Sequence, residues 1–115
     1  MSMNSAMGTQ VMDLELVRGD TLEFTVKIEG FTGTVSAVSF GCRESLDAGS
    51  YVFQKTLNSG ITSLGNGEYR VRVQPSDTAS KTPGLYDYDL QFTIGSDVYT
   101  PMIGKLRLLM DVTHS

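Results

Sequence analysis

Hydrophobic and polar residues alternate strictly over the nine residues 86–94, the clearest pattern in the chain. From Tyr86 to Ile94 every second residue is aromatic or aliphatic. The residues between them are polar: Asp87, Asp89, Gln91 and Thr93. Because successive side chains of a strand point to opposite faces, the pattern predicts a strand with one buried and one hydrated face. We expect this strand to be the centre of the fold.

Less regular alternation recurs along the rest of the chain. It predicts further strands at 11–17, 21–29, 35–44, 51–57, 61–64, 68–74 and 98–111. In the segment 51–57 it places Tyr51, Phe53 and Leu57 towards the core. Turn signals separate the strands, the strongest being Asn66-Gly67, which favours a tight hairpin. The sequence therefore predicts an all-β fold, an Ig-like antiparallel β-sandwich of seven or eight strands, with a small barrel as the alternative.

A corner is predicted between the strands at 68–74 and 84–94. Residues 75–81 fit a single helical turn, because a proline stands at its start and Asp77 can cap it. Gly84 then redirects the chain into the central strand. Tyr86 follows this crossover, at the position where Ig-like domains use a tyrosine hydroxyl to bond the upstream backbone. Pro101 in the last strand predicts an edge or a bulge, and Gly104 a bend.

The 115 residues suffice for one domain, which we expect at 11–113 after a flexible leader at 1–10. The leader has neither the basic nor the apolar run of a signal peptide. No segment approaches the ~20 apolar residues of a membrane span. The net charge of -4 argues against binding nucleic acid or anionic membranes, both of which favour basic surfaces.

Few residues are suited to catalysis. Cys42 is the single cysteine and falls on an apolar strand face, which predicts a small buried hydrophobe in a protein without internal disulfides. The single histidine, His114, is next to the last residue, so a Ser-His-Asp set is not expected. Zinc-ligand spacings and phosphate-binding loops are missing from the sequence. We therefore expect a protein that is not an enzyme and that needs no cofactor.

Two carboxylates, Asp87 and Asp89, share the hydrated face of the central strand. They could flank a sugar bond, or hold calcium together with Asp77 or Asp97, but calcium needs six to eight oxygens that usually come from one loop. A solvated face is the favoured interpretation.

Two arginines, Arg70 and Arg72, share the outward face of another strand. They could grip an anionic group or a partner's carboxylates. Cross-strand pairing with Asp87 and Asp89 is favoured, provided that the two strands are neighbours; such exposed pairs contribute only ~0–1 kcal/mol.

Two surface motifs have a binding and a structural interpretation. Arg18-Gly19-Asp20 can be an integrin ligand at an exposed loop tip, but Gly19 and Asp20 also suit a tight turn, which is favoured. Tyr99, with Phe31, is the aromatic residue expected to remain exposed, and it would be the candidate platform for a sugar.

The order of several motifs resembles a known family. Arg18-Gly19-Asp20-Thr21 enters a strand, and then come YVFQKTLNSGIT, GNGEYRVRVQPSDTASKTPGLYDYDLQF and VYTPMIGKLRLLMDVT. This order resembles the small β-sandwich domains of tailed-phage structural proteins, most closely the N-terminal domain of siphophage baseplate upper proteins, over 11–113. There a Pro-x-Asp-Thr turn leads to Pro-Gly-x-Tyr-x-Tyr-Asp-Leu, and the last strand carries Gly-Lys-Leu followed by Asp-Val-Thr.

The resemblance implies a non-catalytic adaptor that attaches a virion part to the tail or baseplate ring. Its expected partners are other tail or baseplate proteins and further copies of itself, in a virion assembled in the bacterial cytoplasm. In baseplate proteins a helical, receptor-facing region follows this domain, whereas none follows Thr113 in this sequence. We therefore expect a free-standing structural protein or an adaptor without that extension. The alternatives are a carbohydrate-binding or adhesin-type module and, third, a hydrolase using Asp87 and Asp89.

Overall fold

A computed structural model describes residues 2–4, 9–45 and 47–112. These residues form ten strands and one helix. The first five strands are β1 (Ser2–Asn4), β2 (Gln10–Val11), β3 (Leu14–Val17), β4 (Leu22–Glu29) and β5 (Val35–Arg43). The others are β6 (Phe53–Leu57), β7 (Gly60–Gly65), β8 (Glu68–Val73), β9 (Gly84–Ile94) and β10 (Asp97–Leu109), with helix α1 (Pro75–Thr78) before β9. The expected all-β class is confirmed.

The strands make one continuous sheet that curls and stays open. Its order is β1-β4-β8-β7-β6-β5-β9-β10-β2, and β3 also pairs with β10. The long pairings are antiparallel, but β1–β4, β2–β10, β3–β10 and β6–β7 are parallel. The predicted count of seven or eight strands and the wholly antiparallel pairing are therefore wrong. The N-terminal strands β1 and β2 are only three and two residues long, too short to give a periodic signal.

Part of the predicted leader belongs to the sheet. Residues 2–4 pair with Lys27–Glu29 of β4, and Gln10 pairs with Met102 of β10. Thr9 adds a hydrogen bond from its hydroxyl to the Thr100 carbonyl, at 2.7 Å. Residues 2–4 and 10 of the predicted leader therefore pair with strands of the sheet, whereas residues 1 and 5–8 lie outside the described part of the chain.

Strand β9 supplies the centre of the core, as its alternation predicts. Its buried hydrophobic side chains are Tyr86, Tyr88, Leu90 and Phe92. Phe40 of β5 packs against Tyr88 at 5.4 Å between ring centroids, and Phe24 of β4 meets Phe40 edge-on at 5.5 Å. Since β4 and β5 are not neighbours in the strand order, the curl of the sheet brings their inner faces together and encloses the core.

Three local predictions can be checked against the turns. Asn66 and Gly67 both have positive φ, +55° and +78°, as the tight β7–β8 hairpin requires. The β9–β10 register shifts between Tyr99 and Met102, so Pro101 lies at a bulge, as expected. Gly104 has a different role from the predicted bend: a Cβ there would lie 2.0 Å from the Met12 carbonyl oxygen, so glycine permits close chain packing.

The Arg18-Gly19-Asp20 segment is a tight turn. The Asp20 amide donates to the Val17 carbonyl at 2.9 Å, and Gly19 has a φ of +84°. Arg18 is held by an ion pair with Asp111 at 2.8 Å, beyond the end of β10. The arginine therefore ties the N-terminal turn to the C-terminal strand.

We predict that Leu90→Ala lowers the free energy of unfolding by roughly 2–5 kcal/mol, because Leu90 is fully buried and the truncation leaves a cavity. Leu85→Ala is the matched control on the same strand; Leu85 is 53 % exposed, so its truncation should stay within about 0.5 kcal/mol. Urea denaturation of both variants measures the difference. Equal losses would contradict the assignment of the two faces of β9.

Candidate functional site

The predicted corner is built by three side-chain contacts. The Tyr86 hydroxyl donates to the Thr82 carbonyl, the upstream backbone contact expected from its position. One oxygen of Asp77 accepts the Gln74 amide at 2.7 Å, across the start of α1. Asp77 also pairs with Lys55 of β6 at 2.7 Å, and both side chains are largely buried. Gly84 enters β9 with a φ of +154°. The helix ends at Thr78, earlier than predicted.

This corner is also fastened to the N-terminal turn. Thr78 is 1 % exposed, and its hydroxyl oxygen accepts the Gly19 amide at 3.0 Å. Arg18 donates to the Lys81 carbonyl at 3.3 Å. The corner residues therefore have structural partners within the fold.

The side of β5, β9 and β10 that faces away from the core carries a cluster of charged and polar side chains. We call this cluster the outer patch; its members are Arg43, Tyr51, Asp87, Asp89, Gln91, Lys105 and Arg107. The sheet register sets Arg43, Asp87 and Lys105 side by side on three adjacent strands. Arg43 and Lys105 are not close to Asp87 in the sequence. They lie next to it because β9 pairs with β5 on one side and with β10 on the other.

Asp87 is the most enclosed charge of the outer patch. It is 8 % exposed, and one carboxylate oxygen lies 2.6 Å from the Lys105 ammonium nitrogen. The predicted solvated face is therefore wrong at this residue, because Lys105 covers it from the neighbouring strand. A buried carboxylate that keeps its cation is held in one position, which favours precise recognition over flexibility.

Asp89 has weaker partners. The Gln91 amide nitrogen lies 3.4 Å from one Asp89 oxygen and 3.3 Å from the Thr100 hydroxyl. Burial raises the pKa of Asp89, and the charge of Arg43 partly opposes this rise. Asp87 and Asp89 line a small cavity of about 90 Å³ together with Gly41, Arg43 and Tyr88. Asp89 is therefore the carboxylate of the outer patch best placed to accept new hydrogen bonds.

Tyr51 lies on the outer patch, so its predicted core position is wrong. Strand β6 starts at Phe53, and the alternation does not extend back to Tyr51. Its ring covers Gly41: a Cβ at residue 41 would lie 2.3 Å from the ring. The Arg43 guanidinium carbon lies 4.4 Å from the ring centroid, a cation–π contact. Gly41 within a strand was the sequence signal for this close approach.

The other predicted binding residues lie away from the outer patch. Strand β8 has β4 and β7 as neighbours, so Arg70 and Arg72 do not meet Asp87 and Asp89, and that predicted pairing is wrong. Arg72 instead pairs with Glu23 at 3.1 Å, and Arg70 stands opposite Thr25 and Thr62.

Tyr99 lies in an aromatic cluster and not on an open platform. Its ring stacks on Phe92 at 5.2 Å between centroids and meets Phe31 at 4.7 Å. Tyr99 is 36 % exposed, and Phe31 is partly buried. Tyr51, which is 40 % exposed, is the more exposed of the two tyrosine rings.

A shallow cleft with an apolar border adjoins the outer patch. It measures about 240 Å³ and lies between β3, β9 and β10, where Leu85 stands beside Glu15 and Arg107. Leu85 is 53 % exposed, Leu109 is 36 % exposed and Val11 is 76 % exposed. Charged and apolar side chains are thus adjacent on one surface.

The remaining titratable groups offer neither a reactive thiol nor a cluster of metal ligands in the described part of the chain. Burial, followed by the charge of Asp87, raises the pKa of Cys42 to about 12, so this thiol stays protonated at neutral pH. Across residues 2–4, 9–45 and 47–112 no three His, Cys, Asp or Glu side chains are grouped as a metal site would need. His114 lies outside that part of the chain. Within it, no helix has the length and apolarity to cross a membrane.

Comparisons with known proteins identify a structural likeness but no family. No protein-family model matches the chain, and no curated protein matches it. A solved structure that does match is the endo-β-1,4-mannanase from Thermotoga petrophila, with a TM-score of 0.59 and 14 % sequence identity. The match covers 86 % of this chain and 18 % of the mannanase chain. At this identity the likeness concerns the fold alone.

We predict that Asp89→Asn increases stability relative to the wild type as pH rises above 3.8, the ordinary pKa of this carboxyl. The raised pKa means that the folded protein binds the proton more tightly than the unfolded chain, so wild-type stability falls as the folded state loses that proton. The asparagine variant lacks this loss. Thermal unfolding of both proteins between pH 3 and pH 8 measures it, with Asp97→Asn at the exposed first residue of β10 as control. A stability difference independent of pH would contradict the burial of Asp89.

Proposed function

We propose that this protein is a non-catalytic assembly module, an adaptor in the tail or baseplate of a phage or prophage particle. The order of motifs that resembles baseplate upper proteins suggests the setting. The outer patch suggests the way of working, which is docking on other proteins. In this proposal the partners are tail or baseplate components and further copies of the chain, and the protein is part of the virion.

The observation that carries this proposal is the combination of fixed charges and exposed apolar side chains on one surface. Asp87 and Lys105 are already paired, so a partner need not order them. Leu85 lies next to them, across β10 from Glu15, and is more than half exposed. Contiguous exposed apolar groups with a polar border are typical of protein-binding surfaces.

An Ig-like sandwich is the finer arrangement that we propose for the curled sheet. One layer would contain β4, β8 and β7, and the other β6, β5, β9 and β10. The edge-on contact of Phe24 with Phe40 supports two facing layers, because these residues belong to different layers. The parallel pairing of β3 with β10 and the Tyr86 corner contact are further support. In this arrangement the outer patch occupies the outside of the larger layer.

A carbohydrate-binding module is the second candidate, and the position of Tyr51 favours it. The exposed tyrosine ring lies over Gly41, the register partner of Asp89, and beside Arg43, so a stacking surface adjoins side chains that can bond hydroxyls. Against this, Arg43 already occupies space over the ring. The neighbouring structure is named as a mannanase, but the match spans 18 % of that chain at 14 % identity, so the name adds no weight.

We expect the tagged chain to copurify with tail or baseplate particles of the phage or prophage that encodes it, in a constant ratio to the other components. Leu85→Glu should lower its occupancy at least about tenfold, since losing a central apolar contact costs more than about 1.4 kcal/mol. Thr62→Glu, exposed on β7, is the matched control and should behave like the wild type. Quantitative mass spectrometry of purified particles measures both. Particles that lack the chain would contradict the proposal.

The two candidate functions differ in the role of Tyr51. As a docking module, the protein should give no glycan-array signal that depends on this ring, so the array signals of Tyr51→Ala and Asp89→Asn should equal that of the wild type. A glycan signal that is abolished in both variants but retained in Tyr99→Ala would favour the carbohydrate-binding module instead.

A further inference from the structure

The N-terminal segment touches both ends of the open sheet. Strand β1 pairs with β4 at one end of the strand order, and β2 pairs with β10 at the other. Between them are residues 5–9, so the step from Asn4 to Gln10 spans at most about 20 Å when extended. One short stretch of chain therefore bridges two sheet edges.

The β4 edge accepts an extended strand but is only partly used. Strand β1 covers the last three residues of β4, Lys27 to Glu29. Within the described part of the chain, no strand pairs with Leu22–Phe24 on that side. Open edges are the usual place for strand addition by another chain.

We propose that Ser2–Asn4 is an exchangeable strand, which pairs with β4 of a neighbouring copy of this chain in the assembled particle. This inference rests on the proposed assembly function and specifies one of its contacts. Exchange replaces the pairing within a chain by the same pairing between chains, so the hydrogen bonds lost and gained are equivalent. The equilibrium is then set by the concentration of chains and by any new contact at the junction.

The short connection decides the geometry of this contact. Because Asn4 cannot lie more than about 20 Å from Gln10, the β4 edge of one copy must face the β10 edge of the next. These are two different surfaces, so the contact is head-to-tail, and repetition leads to a closed ring or a filament. Gln10 adds an observation at this junction: its buried side-chain oxygen accepts no hydrogen bond within the described part of the chain.

Disulfide trapping between two proteins that each carry one introduced cysteine tests the exchange. Asn4 and Glu29 are register partners, and adjacent strands lie about 4.8 Å apart, within disulfide reach. Asn4→Cys and Glu29→Cys proteins carrying different affinity tags are mixed, incubated at high concentration and oxidised. We expect a mixed disulfide dimer at least about tenfold more abundant than with the control pair Asn4→Cys and Glu23→Cys. Glu23 lies on the same strand, about 20 Å from Glu29.

Two further measurements make the result decisive. Buried Cys42 should give no cross-link in the wild type. An excess of a synthetic peptide of residues 1–8 should lower the mixed-dimer yield, because it competes for the β4 edge. Equal yields for the two pairs would overturn the exchange, as would a mixed dimer that the peptide leaves unchanged. Particle copurification without the cross-link would leave the adaptor function standing and reject only this contact.

Discussion

Burial of one face of β9 is the interaction on which the rest of the structure depends. Tyr88, Leu90 and Phe92 are at most 1 % exposed, and each contributes on the order of 1.5–3 kcal/mol or more by leaving water. They can be buried only if the sheet curls, because one flat sheet would leave that face in water. The contact between Phe24 and Phe40, from strands that are not neighbours, is the closure that this burial requires.

The same strand fixes the outer patch. Once the even-numbered residues of β9 face the core, Asp87 and Asp89 must face outwards, beside β5 and β10. The register then supplies Lys105 on one side and Arg43 on the other. Paired charges of this kind contribute more to selecting a partner than to affinity, because each must lose water on binding. Fold stability and the proposed docking surface therefore share one structural element.

The sequence was most informative where the structure depends on local rules. The alternation of β9, the Asn66-Gly67 hairpin, the bulge at Pro101 and the buried Cys42 follow from properties of a few consecutive residues. Arg72 pairs with Glu23, and Asp87 pairs with Lys105. These ion pairs depend on which strands become neighbours in the sheet, and the pattern of a few consecutive residues does not predict the strand order. Tyr51 was misplaced because a period-two pattern was extended past the start of β6. The strands β1 and β2 have too few residues for any period.

Hydrogen exchange of the backbone amides, followed by mass spectrometry, tests the role of β9 most directly. If burial of its inner face holds the molecule together, the amides of Tyr86 to Phe92 exchange only when the whole domain unfolds. The free energy of opening measured for these amides should then equal the free energy of global unfolding. The free energy of opening for the amides of β7 should be lower. Protection in β9 no greater than in β7 would contradict this, because β9 would then open without loss of the fold.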